Sequence, residues 1–275
     1  MKVLVTGATG FIGSHVVESL LKRKDINIIT SSSNNTGVRL KKWYSQVKHV
    51  PFDFDRPLPD DIHSYFLNPD VLIHLAWSNL PNYSELIHFE KNLMPQYFFI
   101  KKMVESGLTN INITGTCFEY GKQEGACSTE LLTNPNNPYA LAKDTLRKFL
   151  QELVKVSPFN FKWIRLFYMY GEGQSKKSIL SLLQSAIDNG DETFNMSGGE
   201  QLRDYMPVTE VAKFIVENAL KADNSGIINC CSGKPISIRG LVDDYLKIHN
   251  KNIKLNLGYY PYTAHEPMAF WGKAE

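Results

Sequence analysis

Nothing in this 275-residue chain is strongly one-sided. It has four cysteines, Cys117, Cys127, Cys230 and Cys231, and none stands in a C-x-x-C pair. That leaves neither a zinc-knuckle spacing nor a disulfide framework, and it points to a reducing, cytoplasmic setting. The adjacent Cys230 and Cys231 read as structural, because neighbouring cysteines rarely bridge each other. His15, His63, His74, His88 and His265 fall at no metal-ligand spacing, so no metal is expected. Charge is almost balanced, 30 Lys and Arg against 28 Asp and Glu for a formal net charge of +2, and the cations are scattered. No basic stripe for nucleic acid follows from that. The apolar runs, such as residues 71–77, are far shorter than the roughly 20 residues that cross a bilayer. With Lys2 directly before the first strand pattern, there is no room for a signal peptide and no membrane partner is expected. Internal repeats, low-complexity tracts and flexible linkers are also missing.

What the chain does have comes at its start. Val3-Leu4-Val5 is a short apolar strand pattern that runs into Thr6-Gly7-Ala8-Thr9-Gly10-Phe11-Ile12-Gly13 and then into an amphipathic helix pattern. Three glycines spaced G-x-x-G-x-x-G let a backbone approach phosphate oxygens closely and let helix and strand pack without β-carbons between them. The helix that follows offers free N–H groups and the positive end of its dipole. The strand before and the helix after supply the context that a lone glycine triplet lacks. Gly7, Thr9, Gly10, Phe11, Ile12 and Gly13 are therefore expected to contact a nucleotide cofactor.

Strand and helix patterns alternate from there. Strands are expected at 3–5, 27–29, 49–52, 71–75, 111–114, 161–166 and 227–230. Helices are expected at 12–24, 92–106, 141–156 with its start at Tyr139, 178–188 and 210–222. Such alternation predicts an α/β fold, a doubly wound parallel sheet of the Rossmann kind with helices on both faces. Residues 1–170 are read as the cofactor-binding domain and 171–275 mainly as a smaller C-terminal substrate lobe, with 210–222 and 227–230 packing back on the first domain.

The stretch after the second strand bears on cofactor choice. A carboxylate there would hold ribose hydroxyls, whereas small polar groups and a cation suit a 2′-phosphate. The chain places Thr30-Ser31-Ser32-Ser33-Asn34-Asn35 there, then Arg39, and no acid. Ser31 and Arg39 are thus expected to favour NADPH, with NADH as the other option. An alternative is that Arg39 merely coats a helix together with Lys41 and Lys42.

Downstream, Tyr139-Ala140-Leu141-Ala142-Lys143 puts a phenol and an ammonium one helical turn apart. The ammonium is expected to lower the phenol's pKa, so that Tyr139 exchanges a proton with a carbonyl oxygen. It is also expected to reach the nicotinamide ribose, which makes Tyr139 and Lys143 expected cofactor contacts as well. Y-x-x-x-K alone is common. Its place after the glycine turn and after Thr114-Gly115-Thr116 is what gives it meaning.

These segments together resemble the extended short-chain dehydrogenase/reductases, in the nucleotide-sugar epimerase, dehydratase and reductase group, over Lys2 to about Gly233. Asp53-Phe54 resembles the position that contacts adenine. Asp70-Val71-Leu72-Ile73-His74-Leu75-Ala76 resembles the D-x-V-x-H-x-A strand, whose end, Leu75 and Ala76, lines the cofactor. Asn92 matches the asparagine that opens the next helix. Thr116-Cys117-Phe118-Glu119-Tyr120-Gly121 matches S/T-x-x-x-Y-G, which implies Thr116 as the hydroxyl partner of Tyr139. Arg165-Leu166-Phe167-Tyr168-Met169-Tyr170-Gly171 is similar to R-x-F-N-x-Y-G, with Tyr168 where relatives carry asparagine. Arg203-Asp204-Tyr205 is similar to the R-D-[FY] segment, whose arginine faces a nucleotide diphosphate. Thr116, Tyr168 and Arg203 are accordingly the expected substrate contacts.

Sugar 4,6-dehydratases carry an acidic pair directly after the catalytic Ser/Thr, and here those positions are Cys117 and Phe118. The resemblance therefore implies a reductase without dehydratase activity. Residues 115–121 and the Phe270-Trp271 tail are most similar to dTDP-4-keto-6-deoxyglucose reductases of the dTDP-fucose type. Cys117 is read as a packed thiol, one step off the position where 3,5-epimerase–reductases use a cysteine. The tail motif at 266–272 either stacks on the base or sugar of the nucleotide substrate or packs against the lobe or a second subunit. A nucleotide-sugar 4-epimerase using the same residues is the alternative activity, and a non-catalytic nucleotide sensor the alternative class. The resemblance also implies a homodimer through helices 92–106 and 141–156.

Overall fold

The computed structural model describes residues 1–33, 35–221, 225–263 and 266–274. Asn34, residue 222 of the last expected helix and residues 264–265 of the tail lie outside them. β1 (Lys2–Thr6) holds Val3, Leu4 and Val5 fully buried. Unbroken burial is the signature of a parallel strand covered on both faces. It turns into α1 (Phe11–Leu21) and returns as β2 (Asn27–Ser31), parallel to β1 with Lys2 opposite Asn27. The chain continues through α2 (Asn35–Arg39), β3 (Lys48–His49), α3 (Ile62–Tyr65) and β4 (Val71–His74). A π-helical turn (His88–Leu93) opens α4 (Met94–Glu105), which leads to β5 (Asn110–Thr116). A 3-10 turn (Cys117–Tyr120), β6 (Gly125–Cys127), α5 (Pro138–Val156) and β7 (Asn160–Leu166) follow.

The remainder is more broken. It comprises β8 (Tyr168–Tyr170), α6 (Ile179–Asp188), β9 (Thr193–Asn195), β10 (Leu202–Arg203) and β11 (Tyr205–Pro207). Then come α7 (Val208–Leu220), β12 (Gly226–Cys230), β13 (Ile236–Ser237), α8 (Ile238–Ile248), β14 (Lys254–Asn256) and β15 (Ala269–Gly272).

Among the described residues, seven parallel strands form one sheet in the order β12-β7-β5-β4-β1-β2-β3. The order reverses beside β1, the switch point at which sheets of this kind leave a crevice at their carboxyl ends. One face packs Val3 and Val5 against Val16, Val17 and Leu20 of α1 and Ile215 and Val216 of α7. The other packs Leu4 against a core that includes Phe99, Ile100 and Met103 of α4 and Leu146, Leu150 and Leu153 of α5. Alternate β1 side chains thus feed two cores, as the period of two requires. α7 and β12 lie with this sheet, although they come late in the chain.

A separate core joins Leu180 and Leu183 of α6, Phe194, Leu241, Val242 and Ile253. Next to it stands a four-stranded sheet, β13-β10-β15-β6. Several elements differ from the sequence expectation. The strand expected at 49–52 ends at His49, because Pro51 has no amide to give, although Val50 and Phe52 still donate to Thr30 and Ser32 carbonyls. The expected helix at 92–106 starts four residues early, as a π turn ahead of Pro95, which lacks the amide an α-turn would use there. α8 has no counterpart in the expectation, although Ile238, Leu241, Val242 and Tyr245 recur at helical spacing and pack on the separate core. Phe270 of the tail is a core residue, stacked on Phe167 with ring centroids 5.6 Å apart.

Among the described residues no helix is long and apolar enough to cross a membrane, and no group of three or more His, Cys, Asp or Glu is placed to hold a metal. All four cysteines are free and buried.

The glycine turn shows why its spacing is strict. Gly7 has φ +68°, and a β-carbon on it would lie 2.8 Å from the Ala76 amide nitrogen. A β-carbon on Gly13 would lie 2.2 Å from the Gly7 carbonyl, whereas on Gly10 it would meet only that carbonyl, at 3.2 Å. Gly13→Ala is therefore expected to destabilise the fold by about 1–3 kcal/mol through overpacking. Gly10→Ala should cost far less stability, and urea unfolding of the two variants side by side measures the difference.

Candidate active site

The crevice gathers the ends of β1, β4 and β5 and the starts of α1 and α5. At α1 the N-cap is Gly10, which has no side chain to bond the first amides of the helix. Those amides remain receptive to an anion. With the β-carbon-free path past Gly7, this cradle fits a pyrophosphate. Thr9, Phe11 and Ile12 are half-buried beside it. Leu75 continues from β4, its amide bonded to the Thr6 carbonyl, and Ala76 lies against Gly7.

The other expected cofactor residues lie further out. Ser31 is buried at the end of β2, next to Ser32, whose hydroxyl is buried with no partner among the described residues. Arg39 is exposed at the last turn of α2. Asp53 is half-buried and accepts the Asp55 amide, while Phe54 packs edge-on against Phe99 at 5.1 Å. Asn92 belongs to the π turn and ties down the segment after β4: Ser78 Oγ donates to its Oδ1 at 2.5 Å, and its Nδ2 donates to the Ser78 carbonyl at 3.2 Å.

Thr116, Tyr139 and Lys143 meet in the crevice. Asn137 caps α5 through the Ala140 amide at 2.9 Å, and Pro138 sets its first turn. Tyr139 thereby enters at a fixed angle, its own amide bonded to the Tyr83 carbonyl at 3.1 Å. Lys143, one turn on, is 2% exposed and donates from Nζ to the Thr114 carbonyl at 2.9 Å. The same Nζ stands 4.2 Å from the centre of the Trp77 ring. Trp77 is held in turn: its indole N–H donates to His88 Nδ1 at 3.1 Å, which leaves His88 Nε2–H for the Asn82 carbonyl at 2.9 Å.

The electrostatics differ from the sequence expectation. Burial drives the Tyr139 phenol well above its ordinary range, Tyr83, Glu119 and Cys117 add to the rise, and only a hydrogen bond with Thr116 opposes it. The expected lowering by Lys143 is absent because burial dominates and the ammonium is turned to the Thr114 carbonyl. Burial likewise lowers Lys143 itself, to about 7, against the pull of Glu119.

The far side of the crevice is aromatic. The Tyr83 ring lies 5.4 Å from Tyr139 and 5.3 Å from Phe118, and Phe118 lies 6.2 Å from Tyr168. Tyr168 leads to Tyr205 at 5.3 Å and carries the Arg203 guanidinium 5.7 Å from its ring centre. Arg203 is buried, donates to its neighbour Leu202's carbonyl and reaches Glu266 at 3.5 Å. Asp204 beside it is a strut, its carboxylate accepting the Ser232 and Gly233 amides, each at 2.8 Å. Cys117 starts the 3-10 turn rather than extending a strand, so its face is set by the turn, and burial pushes its thiol far up. Sequence reasoning missed Trp77 and Tyr83, which sit in an irregular segment with no periodicity, and Glu119, which lay unweighed inside a matched segment.

Residues 3–231 match the family described as the NAD dependent epimerase/dehydratase family. The chain belongs to it. Over 99% of both chains it is 33% identical to the dTDP-6-deoxy-L-talose 4-dehydrogenase (NAD(+)) of Aggregatibacter actinomycetemcomitans. It is 23% identical to the GDP-6-deoxy-D-talose 4-dehydrogenase of the same organism, over 93% of this chain and 83% of that one. The structure of the UDP-glucuronic acid 4-epimerase of Bacillus cereus, in complex with UDP-glucuronic acid and NAD, superposes with a TM-score of 0.79 at 23% identity, covering 99% of this chain and 90% of that one. That likeness establishes the Rossmann-type fold of this epimerase/dehydratase family member.

His74 provides a stability test of the crevice floor. It is fully buried, with Nδ1 2.8 Å from the Thr6 hydroxyl, and burial followed by the Lys143 charge lowers its pKa from 6.5 to about 3. Between those values the unfolded chain binds a proton that the native state refuses, so stability rises with pH there. Stability is expected to fall as pH drops from about 6.5 towards about 3. Urea midpoints across that window should show a shallower slope in His74→Asn.

Proposed function

We propose that the protein is a nicotinamide-dependent oxidoreductase at carbon four of a nucleotide-activated 6-deoxyhexose, reducing a dTDP-4-keto-6-deoxyhexose to the 4-hydroxy sugar. One observation carries the reading. Thr116, Tyr139 and Lys143 converge at one end of a crevice whose neighbouring positions are Cys117 and Phe118, where elimination of water would need an acid and a base. An aromatic wall of Tyr83, Phe118 and Tyr168 suits a sugar whose sixth carbon is a methyl. The whole-length relative named for 4-dehydrogenation of a dTDP-6-deoxyhexose supports the same carbon and the same sugar class.

In this reading Tyr139 gives its proton to the carbonyl oxygen, which Thr116 holds through a second hydrogen bond. Lys143 reaches the nicotinamide ribose and, with Tyr139, contacts the cofactor. Arg203 holds the diphosphate, and Tyr168 lines the sugar. Gly7, Thr9, Gly10, Phe11, Ile12 and Gly13 hold the cofactor's pyrophosphate end, Ser31 and Arg39 its adenosine ribose, Asp53 and Phe54 its adenine, and Leu75, Ala76 and Asn92 flank its path. When bound, the nicotinamide supplies the hydride. NADPH is the proposed form, because no acid follows β2, although the relative's name specifies NAD(+). Residues 171–275 serve mainly as the substrate lobe.

The test is the loss of reduced-nicotinamide absorbance with dTDP-4-keto-6-deoxyglucose, with NADPH and NADH in parallel. Stoichiometric oxidation is expected. Tyr139→Phe should lower turnover by at least about 10²-fold while cofactor binding is kept, and full activity in that variant overturns the reading. Isomerisation without net cofactor turnover would replace it with the 4-epimerase.

A homodimer is also proposed. α4 and α5 expose Phe98, Leu141 and Phe149 at 49%, 47% and 39%, an apolar surface fit for a second copy. Sedimentation should give a dimer that Phe98→Asp converts to monomer, and a monomeric parent protein would end that proposal.

A further inference from the structure

We propose that Glu119 is a positioning residue for the proton-transfer site: its buried carboxylate anchors the end of β5 that carries Thr116 and supplies the counter-charge for Lys143. The proposal rests on the oxidoreductase reading above. Glu119 is completely buried in the 3-10 turn that follows β5. Its Oε1 accepts the Thr116 amide at 2.9 Å, so the carboxylate holds the backbone of the residue whose hydroxyl meets Tyr139. The Trp163 indole N–H donates to both oxygens, at 2.9 and 3.1 Å, and Arg165 Nε donates to Oε2 at 2.8 Å. Every one of these neighbours is a donor, an environment that only an ionised carboxylate satisfies. Burial pushes Glu119 up, and Arg165, the Thr116 amide and Trp163 work against it.

The chain makes room for this carboxylate. A β-carbon on Gly115 would lie 2.1 Å from the Trp163 indole nitrogen and 2.5 Å from Glu119 Oε1. The glycine between the two threonines therefore exists so that carboxylate and indole can reach the strand. Trp163 also connects the two halves of the site, since Lys143 Nζ lies 6.0 Å from the centre of its ring. Glu119 is the carboxylate whose charge favours the Lys143 ammonium, and His74 of β4, uncharged above about 3, adds none. Tyr139 lies on its own helix. Arg165 faces Glu119 directly, and Arg147 stands 3.8 Å from it while paired with Asp144 at 2.6 Å. Without Glu119 the Thr116 amide loses its carboxylate acceptor, and Lys143 loses the pull of that carboxylate towards its charged form.

Two variants separate charge from placement. Glu119→Gln keeps an acceptor for the Thr116 amide and loses the charge. Glu119→Asp keeps the charge and withdraws it from that amide. For alcohol oxidation, kcat rises with pH as the Tyr139–Lys143 pair gives up a proton. In Glu119→Gln that rise is expected about one unit lower in pH, because a removed anion favours deprotonation of both groups. Glu119→Asp should lower kcat about tenfold or more with KM little changed and a smaller shift of the profile.

A readout independent of turnover is the pH titration of the Lys143 Cε resonance in lysine-labelled protein, assigned by its loss in Lys143→Met. It should have a midpoint near 7 in the parent protein and a lower one in Glu119→Gln. If the wild type turned over no sugar, the function reading would fall while the resonance still tested Glu119. Unchanged profiles, unchanged kcat and an unmoved resonance in variants that merely unfold more easily would overturn the proposal. Should Glu119→Gln fail to fold, Glu119→Asp still decides between placement and mere structural support.

Discussion

An ammonium taken almost wholly out of water is the constraint around which this crevice is arranged. Lys143 replaces solvent with one carbonyl, the face of one indole and the distant pull of one carboxylate. Each of those partners is itself fixed. The carbonyl belongs to β5 in the middle of the parallel sheet, the indole is held by a histidine whose tautomer is dictated by a loop carbonyl, and the carboxylate by two arginines and a second indole. A buried cation tolerates little slack, since a lost partner is not replaced by water. The hydrogen bonds that tie down the segment after β4 and the 3-10 turn answer that demand.

The parts of the molecule that the sequence made visible are those set by short spacings. The glycine turn works through contacts within a few residues, and its strand and helix carry clear periods. Tyr139 and Lys143 are one turn apart, and Asn137-Pro138 announces the start of their helix. The parallel sheet was readable from β1 and β4, whose apolar runs are buried on both sides, and from the alternation of strand and helix patterns around them.

What stayed hidden depends on long sequence separation. Glu119 meets Trp163 and Arg165 across 44 and 46 positions, so nothing in its local segment signals a charge pair. Tyr83 is placed by partners far along the chain, the Tyr139 amide on its carbonyl and the Phe118 and Tyr139 rings against its own. The phenol's electrostatics were misjudged for a related reason. Spacing reveals that two groups share a helix face, but burial, which outweighs their attraction here, is a property of the whole fold. The short strands around Arg203, two to four residues each, are below the length at which alternation can be read.

The order of strands in the small sheet has a consequence for how the protein is made. Among the described residues β6 pairs only with β15, and β15 is also the neighbour of β10, with Phe270 opposite both Gly125 and Arg203. A ribosome delivers the chain from its amino end, so β6 emerges early and stays without its neighbour until residues 269–272 have been synthesised. The arginine side of the crevice is accordingly the last to close, and nascent chains halted before that point carry an exposed strand edge that invites mispairing.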